Sequence, residues 1–366
     1  MNLTFVKRVH AMKILYLVNG IRGSGGLERV LLHKASYLSD AYGHVVSILV
    51  LNEPPGEPFY PVSRSVKVTH FHAAGSAVAY IRSYRRGLRE EVARFQPDVV
   101  CVCDDGLKGL VVPLLLPRPG PALVYERHAS LELMRSRWQR IVMPLLARLY
   151  DQLVLLTHSN VKEWRVPGAV VIPNPLPDFA TVGTSERKKQ ILCVGSLSRN
   201  KGYDLLVDAW SRIAARHPDW VVHVYGKGDP APYMALASAR EVAGQIEFHP
   251  PVADIGARYA EAAMLVLPSR SEGFGMVLLE AMFFGTPCVS FDCPSGPGDI
   301  LTSGVDGVLV APENTVALAD AVEQLIMNPG EREALGQQAR VTAAKYGIDE
   351  IGARWHQLFT LLARSP

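Results

Sequence analysis

Two carboxylates in the second half of the chain occupy positions where a charge is costly. Glu272 precedes Gly-Phe-Gly, and Glu280 lies within MVLLEAMFF, the apolar pattern of a buried helix. A carboxylate can accept two hydrogen bonds from a vicinal diol such as that of ribose. If the helix begins near Phe274, Glu280 lies about two turns deeper than Glu272, which then stands at the mouth of a site. The alternative is that Glu280 pairs with a nearby arginine.

A second candidate for ligand chemistry is the loop 195–202, Gly-Ser-Leu-Ser-Arg-Asn-Lys-Gly. It follows an apolar run and carries Ser196, Arg199 and Lys201. Two cations in such a loop suit a diphosphate, because they neutralise its charge as it departs. The segment VYGKGD places Gly226 at a further strand end. The alternative is an ordinary surface loop.

In the first half, a glycine-rich turn follows the first apolar run. Gly25 and Gly26 allow close approach of backbone N–H groups to an anion at a helix N-terminus. Counted from Gly23, the dinucleotide fingerprint Gly-x-Gly-x-x-Gly fails, because Glu28 stands at its last position. Glu53 suits a ribose contact, and a turn that merely needs glycine is the alternative.

The segment ALVYERHAS ends another apolar run with Glu126, Arg127 and His128. A histidine at the carboxyl edge of a strand can contact a bound sugar or carry a proton. A surface histidine with ordinary capping neighbours remains the alternative.

The elements that must position these residues alternate between strands and helices. Continuous apolar runs of this kind indicate parallel sheets covered on both faces, with ligands at the carboxyl ends of the strands. A Pro-, Thr- and Ser-rich segment at 171–189 separates two halves. The predicted fold is therefore α/β, with two Rossmann-like domains. The predicted strands are 13–19, 45–52, 66–72, 98–104, 122–128 and 152–157, then 190–196, 220–226, 245–249, 264–269, 286–292 and 307–311.

Charge is spread unevenly along the 366 residues, although the net charge is only +3. Residues 1–183 carry 22 Lys+Arg against 14 Asp+Glu, which gives +8, and the remainder carries 16 against 21, which gives −5. Basic runs with Trp138 suit an anionic membrane surface, and a solvated helix face is the alternative. Nucleic acid is not expected, because aromatic residues are not interleaved. The arginines of these runs are Arg82, Arg85, Arg86, Arg89, Arg135, Arg137, Arg140 and Arg148.

The five cysteines show neither an even count nor a Cys-x-x-Cys motif, which favours reduced thiols in the cytoplasm. Cys101 and Cys103 are expected on opposite faces of a strand, a poor arrangement for a shared metal. Asp104 and Asp105 lack an Asp-x-Asp pattern, so no metal site is predicted. No signal peptide or membrane-spanning run is expected.

Together, Glu-Gly-Phe-Gly-x-x-x-x-Glu-Ala-Met, the following Gly-Thr-Pro-Cys-Val and the glycine loops resemble the retaining glycosyltransferases of family 4. The resemblance covers nearly the whole chain. It implies the GT-B fold, with two domains facing each other across a cleft. Two departures are Ser196, where the family usually has arginine, and Pro250-Pro251, where it usually has Leu-Gly.

The resemblance also implies roles for individual residues. Lys201 contacts the donor diphosphate, Glu272 touches the donor sugar, and Glu280 binds the ribose. His128 contacts the sugar from the first domain. Catalytic residues are thus Glu272, His128 and Lys201, and substrate-binding residues are Gly25, Gly26, Ser196, Arg199, Gly226, Gly273, Phe274, Gly275, Met276, Val277 and Glu280.

The resulting prediction is a cytoplasmic hexosyltransferase that uses a UDP- or GDP-linked sugar without a metal or other cofactor. Its acceptor is a saccharide or lipid-linked saccharide of bacterial surface glycan assembly, and peripheral contact with the inner face of the membrane is left open. Residues 1–183 bind the acceptor, 184–345 bind the nucleotide sugar, and 346–366 form a helix that returns to the first domain. The alternatives are a nucleotide-sugar epimerase or hydrolase, an NAD-dependent dehydrogenase, and a non-catalytic nucleotide-binding protein.

Overall fold

The computed structural model describes residues 11–103, 106–131, 134, 136–179, 186–252 and 254–363. The chain divides into two compact units. Unit 1 comprises Met1–Pro177 and Ile348–Pro366, and unit 2 comprises Asp178–Gly347.

Unit 1 is built on a parallel sheet of seven strands in the order β3-β2-β1-β4-β5-β6-β7. Both faces are covered: Leu15 and Leu17 of β1 enter one core, while Ile14, Tyr16 and Val18 enter the other. Burial on both faces explains why the strands read as continuous apolar runs. The strands are β1 Lys13–Val18, β2 Val45–Leu51, β3 Lys67–Phe71, β4 Val99–Val102, β5 Ala122–Arg127, β6 Gln152–Leu155 and β7 Val170–Val171.

The helices of unit 1 begin and end at residues that favour such boundaries. The long helix after β1 ends at Gly43, whose φ of 67° is left-handed, and Thr157 caps a later helix by accepting a hydrogen bond from the Asn160 N–H. The helices are α1 Gly26–Tyr42, α2 Ala77–Phe95, α3 Leu107–Leu110, α4 Val112–Leu115, α5 Arg137–Ala147, α6 His158–Trp164 and, from the C-terminus, α14 Ile348–Ala363.

Unit 2 has a second parallel sheet, in the order β10-β9-β8-β11-β12-β13. Its strands are β8 Lys188–Val194, β9 Val221–Tyr225, β10 Ile246–His249, β11 Ala262–Leu267, β12 Cys288–Phe291 and β13 Val308–Val310. Its helices are α7 Tyr203–Trp210, α8 Ala231–Ala239, α9 Ile255–Glu261, α10 Met276–Phe283, α11 Pro297–Ile300, α12 Thr315–Met327 and α13 Pro329–Ala343.

All twelve predicted strands form, and β7, which has two residues, is an additional strand that the pattern did not predict. The last helix, α14, belongs to unit 1. It contributes Ile351, Trp355 and Phe359, spaced four residues apart on one face, to the core that α1 also covers. None of the described helices is both long and apolar enough to cross a membrane.

The predicted division after residue 183 lies outside the described residues, and Asp178 before it already belongs to unit 2. Phe179 packs against Phe284 and Phe283, with ring centroids 5.0 and 5.6 Å away. These apolar contacts attach the end of the linker to the second unit. The later division lies at Gly347, close to the predicted residue 345.

Candidate functional site

The carboxyl ends of β8 and β11 lie side by side at the point where the strand order of unit 2 reverses. Such a reversal leaves a crevice between the loops that follow the two strands. Here two hydrogen bonds join the loops: the Arg270 N–H donates to the Asn200 carbonyl over 2.8 Å, and the Asn200 side-chain amide donates to the Ser271 carbonyl over 2.8 Å. A Cβ at Gly202 would lie 1.8 Å from the Pro268 carbonyl oxygen, so this approach requires glycine.

This crevice brings together two residues that are 71 positions apart in the chain. Lys201 Nζ donates to Glu272 Oε1 over 2.6 Å. The side chains are 20% and 9% exposed, respectively, so the ion pair is partly open to solvent. Glu272 is therefore more buried than its predicted position at the mouth of a site suggested.

Glu280 is the fifth of the eight residues of the short helix α10 and is 6% exposed. Its Oε2 accepts a hydrogen bond of 2.8 Å from the Tyr259 hydroxyl, which is the partner that the sequence left unidentified. The predicted helix start near Phe274 is wrong. Gly275 has a φ of 99°, outside the helical region, and α10 begins at Met276.

The other predicted residues of unit 2 lie along the same carboxyl edge. Ser196 and Arg199 are exposed in the loop after β8, and Arg199 is part of a 3-10 turn that also contains Lys201. Gly226 follows β9, and a Cβ there would lie 1.8 Å from the Gly195 carbonyl oxygen. Gly273, Phe274 and Gly275 form the turn into α10, while Met276 and Val277 are its first residues.

In unit 1, the predicted His128 lies beside a buried ion pair. Glu126 Oε1 is 3.3 Å from His128 Nε2, and Glu126 Oε2 accepts from Lys34 Nζ over 2.5 Å. Burial acts to raise the pKa of the Glu126 carboxyl, but the charges of Lys34 and His128 outweigh it and hold this pKa well below its usual range. Lys34 was missed, although its place among Leu31, Ala35 and Leu38 on the buried face of α1 was a usable signal.

The glycine turn after β1 forms as predicted, with Gly25 directly before α1 and Gly26 as its first residue. Both glycines are exposed. The Glu53 carboxylate accepts a hydrogen bond from the Ile21 N–H over 2.8 Å and so holds this turn. That contact gives Glu53 a structural role in the turn.

Two family models match consecutive parts of the chain. Glycosyltransferase Family 4 matches residues 24–178, and Glycosyl transferases group 1 matches residues 177–342. An alpha-D-kanosaminyltransferase of Streptomyces kanamyceticus is 31% identical over 320 residues, which are 76% of this chain and 80% of that protein. The chain therefore belongs to the glycosyltransferase family that these two models describe.

Two further relatives match over nearly their whole length. An uncharacterized glycosyltransferase of Haemophilus influenzae is 28% identical, over 94% of this chain and 98% of that protein. A Campylobacter jejuni enzyme is 23% identical, over 95% and 98%. The latter is an α-1,4-N-acetyl-D-galactosaminyltransferase named for an undecaprenol-PP-linked saccharide. These matches confirm the prediction of a glycosyltransferase.

Solved structures share the fold at low sequence identity. Sucrose-phosphate synthase from Thermosynechococcus elongatus has a TM-score of 0.82 at 19% identity, covering 97% of this chain and 100% of that one. HepE from Anabaena, solved in complex with UDP and glucose, has a TM-score of 0.75 at 20% identity, covering 95% and 99%. They confirm the predicted GT-B fold class.

In this glycosyltransferase, Arg270 fixes the loop that carries Glu272, a function that the sequence analysis missed. Its guanidinium donates to both carboxylate oxygens of Asp204, over 2.8 and 2.7 Å, and to Glu313 over 2.9 Å. The bidentate hydrogen bonds from Arg270 lower the pKa of the Asp204 carboxyl. An arginine two residues before Glu272 in a strand-end loop was the available signal.

The expectation that two cysteines of this glycosyltransferase lie on opposite faces of a strand is wrong. Cys101 and Cys103 lie on the same face of the chain, because residues i and i+2 of a strand point the same way. Their Sγ atoms lie 3.8 and 3.0 Å from Glu126 Oε2. Burial raises the pKa of the Cys103 thiol.

The rejected metal position, Asp104 and Asp105, lies outside the described residues, as does Arg135.

A cavity of about 420 Å³ in unit 2 lies away from this chemistry. Its lining includes Lys188, Trp220, Ala263 and Pro287, which stand at the amino ends of strands. Ligands of such sheets bind at the opposite, carboxyl edge. The Lys201–Glu272 crevice is therefore the better candidate for the glycosyltransferase site.

Proposed function

We propose that this glycosyltransferase transfers a sugar from a UDP- or GDP-linked donor, with retention of anomeric configuration. The proposed acceptor is a saccharide or lipid-linked saccharide in bacterial surface glycan assembly. The observation that carries the donor part is the partly open Lys201–Glu272 pair at the strand-order reversal of unit 2. The lipid-linked saccharide in the name of the Campylobacter jejuni relative supports the acceptor part.

The ion pair suits a donor that carries both a diphosphate and a sugar. A diphosphate can replace Glu272 as the partner of the Lys201 ammonium, which lies 2.6 Å from Glu272 Oε1. The freed Glu272 carboxylate can then accept hydrogen bonds from sugar hydroxyls. The N–H groups at the start of α10 stand in the same loop and favour negative charge.

Glu280 is proposed as the ribose ligand. Its carboxylate is buried and held by Tyr259, so it is oriented before a nucleotide arrives. Two carboxylate oxygens match the two hydroxyls of a ribose diol.

Retention fits front-face attack at the donor. The bond between the anomeric carbon and the phosphate oxygen breaks, and the acceptor oxygen bonds to the same face of that carbon. The acceptor proton passes to the leaving phosphate oxygen, and Lys201 stabilises the departing diphosphate. We propose no metal in this reaction. His128 is retained as a proposed sugar contact, on the resemblance that first suggested it.

The donor proposal is tested by assaying transfer from UDP- and GDP-sugars and determining the product anomer by NMR. Glu272→Gln should reduce transfer at least tenfold while the protein stays folded. Asp219→Asn is the matched control, because Asp219 forms an exposed pair with Lys189. Unchanged transfer by Glu272→Gln would contradict the site, an inverted product would contradict retention, and free sugar released without acceptor would favour the epimerase or hydrolase.

We also propose that unit 1 binds an anionic membrane through α5. Trp138, Ile141, Val142 and Leu145 are 76%, 59%, 38% and 53% exposed and lie within about 100° around the helix. The inward face of α5 instead buries Met143 and Ala147.

Exposed arginines on α5 suit anionic headgroups beside this apolar stripe. Arg137 and Arg140 lie at its start, and Arg148 follows its end. Arg82, Arg85 and Arg86 of α2 are exposed as well. An apolar stripe beside cations is the pattern of a helix that lies in the membrane interface.

The membrane proposal is tested by flotation with vesicles that contain phosphatidylglycerol. Trp138→Ser/Leu145→Ser should reduce binding at least tenfold at low salt. Met327→Ser is the control, because Met327 is 65% exposed in unit 2. Equal binding by both variants, or none by the unmodified protein, would overturn the proposal.

A further inference from the structure

Two imidazoles and a carboxylate meet on the last two strands of the sheet in unit 2. His223 of β9 and Glu247 of β10 are directly paired across the parallel ladder. His249 stands two residues after Glu247 on β10, so it shares the face of the sheet with both. The sheet backbone therefore positions all three side chains, which none of the predicted roles uses.

The three ligand atoms form a nearly equilateral triangle. His223 Nδ1 is 3.0 Å from His249 Nε2, and Glu247 Oε2 is 3.3 Å from each of these nitrogens. A tetrahedral Zn²⁺ with bonds of about 2.0–2.1 Å holds its ligand atoms about 3.3–3.4 Å apart. The observed spacing thus matches one face of a metal coordination sphere.

We propose that His223, Glu247 and His249 bind one divalent transition-metal ion, for which Zn²⁺ is the reference. Two imidazoles and one carboxylate are a ligand set that such ions favour. The side chains of His223, Glu247 and His249 are 16%, 53% and 30% exposed, so an ion reaches them from solvent. Solvent completes the coordination.

Two cations near His223 do not cancel this attraction. The charges of Arg258 and Lys188 act on His223. Both are paired with Glu261, at 3.2 and 2.9 Å respectively. The single carboxylate of Glu261 offsets one of these two positive charges and so weakens their field at the triangle.

The second cluster with suitable spacing among the described residues shows what an unsuitable site looks like. Cys101, Cys103 and Glu126 are also within ligand range of one another. They are at most 1% exposed, and the Lys34 ammonium already neutralises Glu126. An ion has neither access nor a free charge there.

The bound ion would join the two outermost strands on one side of the sheet. β10 is an edge strand whose neighbour in the sheet is β9. The ladder between them has four paired positions, Ile246 to His249. A metal bridge from β9 to β10 therefore adds a cross-link at this edge of the sheet.

The test is calorimetric titration of chelator-treated full-length protein, without an affinity tag, with Zn²⁺. One ion per chain is expected, together with a higher melting temperature. His249→Gln and Glu247→Gln should each weaken binding by at least about tenfold. Glu247 is half exposed, so its variant is expected to fold even if a histidine variant does not.

The control variant is His217→Gln, because His217 Nε2 lies 2.8 Å from Glu323 Oε1 without a second imidazole. It should bind Zn²⁺ as the unmodified protein does. Absence of Zn²⁺ binding, binding that survives Glu247→Gln and His249→Gln, or an equal loss in His217→Gln would each overturn the proposal. In the first case the triangle is a hydrogen-bonded cluster only.

Discussion

Each unit contains a lysine–glutamate pair at a similar distance, but the two pairs differ in their surroundings. In unit 1, Lys34 Nζ is 2.5 Å from Glu126 Oε2, and the side chains are 0% and 1% exposed. In unit 2, Lys201 Nζ is 2.6 Å from Glu272 Oε1, and the side chains are 20% and 9% exposed. The first pair is sealed, and the second is open at the edge of a sheet.

The seal over the first pair comes from distant parts of the chain. The ring of Trp355 in the C-terminal helix lies 3.9 Å from Lys34 Nζ, and the ring of Tyr16 lies 5.3 Å from it. A ligand would have to displace these aromatic groups to reach the charges. The difference shows that the same two residue types form a sealed pair in one unit and a pair that solvent reaches in the other.

The largest effect is expected from opening the sealed pair. Lys34→Met should lower the free energy of unfolding by about 3–5 kcal/mol, because Glu126 would remain buried without its cation. Chemical denaturation measures this. Lys34→Met/Glu126→Gln should recover much of the loss, and a double variant as unstable as the single one would contradict the assignment.

The corresponding change in the open pair should act on transfer instead. Lys201→Met should reduce sugar transfer by about 10²–10³-fold, because the departing diphosphate loses a cation. The free energy of unfolding should fall by less than in Lys34→Met, since the side chains of this pair are more exposed than those of the sealed pair. Steady-state kinetics and denaturation of the same preparation measure both. A large loss of stability would show that this pair is structural as well.

Acid should affect the sealed pair in a defined direction. The folded-state pKa of Glu126 is lowered from its ordinary value of 4.5, so the pair contributes stability above pH 4.5 that is lost as the pH falls below it. Denaturation midpoints at pH 7 and below pH 4.5 measure the loss. Lys34→Met/Glu126→Gln should lose less stability over this range. An identical loss in the double variant and the unmodified protein would show that the acid-induced loss does not come from this pair.

A smaller effect is expected where the C-terminal helix meets α1. His44 accepts from the Met12 N–H over 3.2 Å, and its Nε2 lies 2.9 Å from His356 Nδ1. Burial and His356 lower the pKa of His44 from 6.5 to about 4, while Asp98 opposes this shift.

Stability from neutral His44 is therefore present above pH 6.5 and lost as the pH falls toward 4. The protection factors of the α14 amides at pH 7 and pH 5, which remove the intrinsic pH dependence of hydrogen exchange, measure the loosening. His44→Asn should flatten the difference, and protection factors that do not change with pH would contradict the role of neutral His44 at its contact with His356.

The sequence sufficed where local pattern decides the structure. Every predicted strand forms, because strands buried on both faces must be apolar throughout. The carboxyl-edge positions of Lys201 and Glu272 follow from the parallel topology. That Lys201 and Glu272 touch could not be predicted, since 71 residues separate them.

Other features depend on tertiary contacts or on backbone geometry that composition does not reveal. Tyr259 is 21 residues from Glu280, and no local signal links them. The start of α10 was misplaced because Gly275 takes a left-handed conformation. β7 was missed because two residues carry too little pattern. The face shared by Cys101 and Cys103 was, in contrast, available from strand periodicity.

The binding of UDP and GDP to the unmodified protein and to Glu280→Gln tests the donor site most directly. We expect one of the two nucleotides to bind and Glu280→Gln to weaken that binding at least tenfold, because the ribose loses a charged acceptor. Tyr259→Phe, which removes the hydroxyl that orients Glu280, should weaken it less. Equal affinity of Glu280→Gln and the unmodified protein, or no binding of either nucleotide, would contradict the assignment.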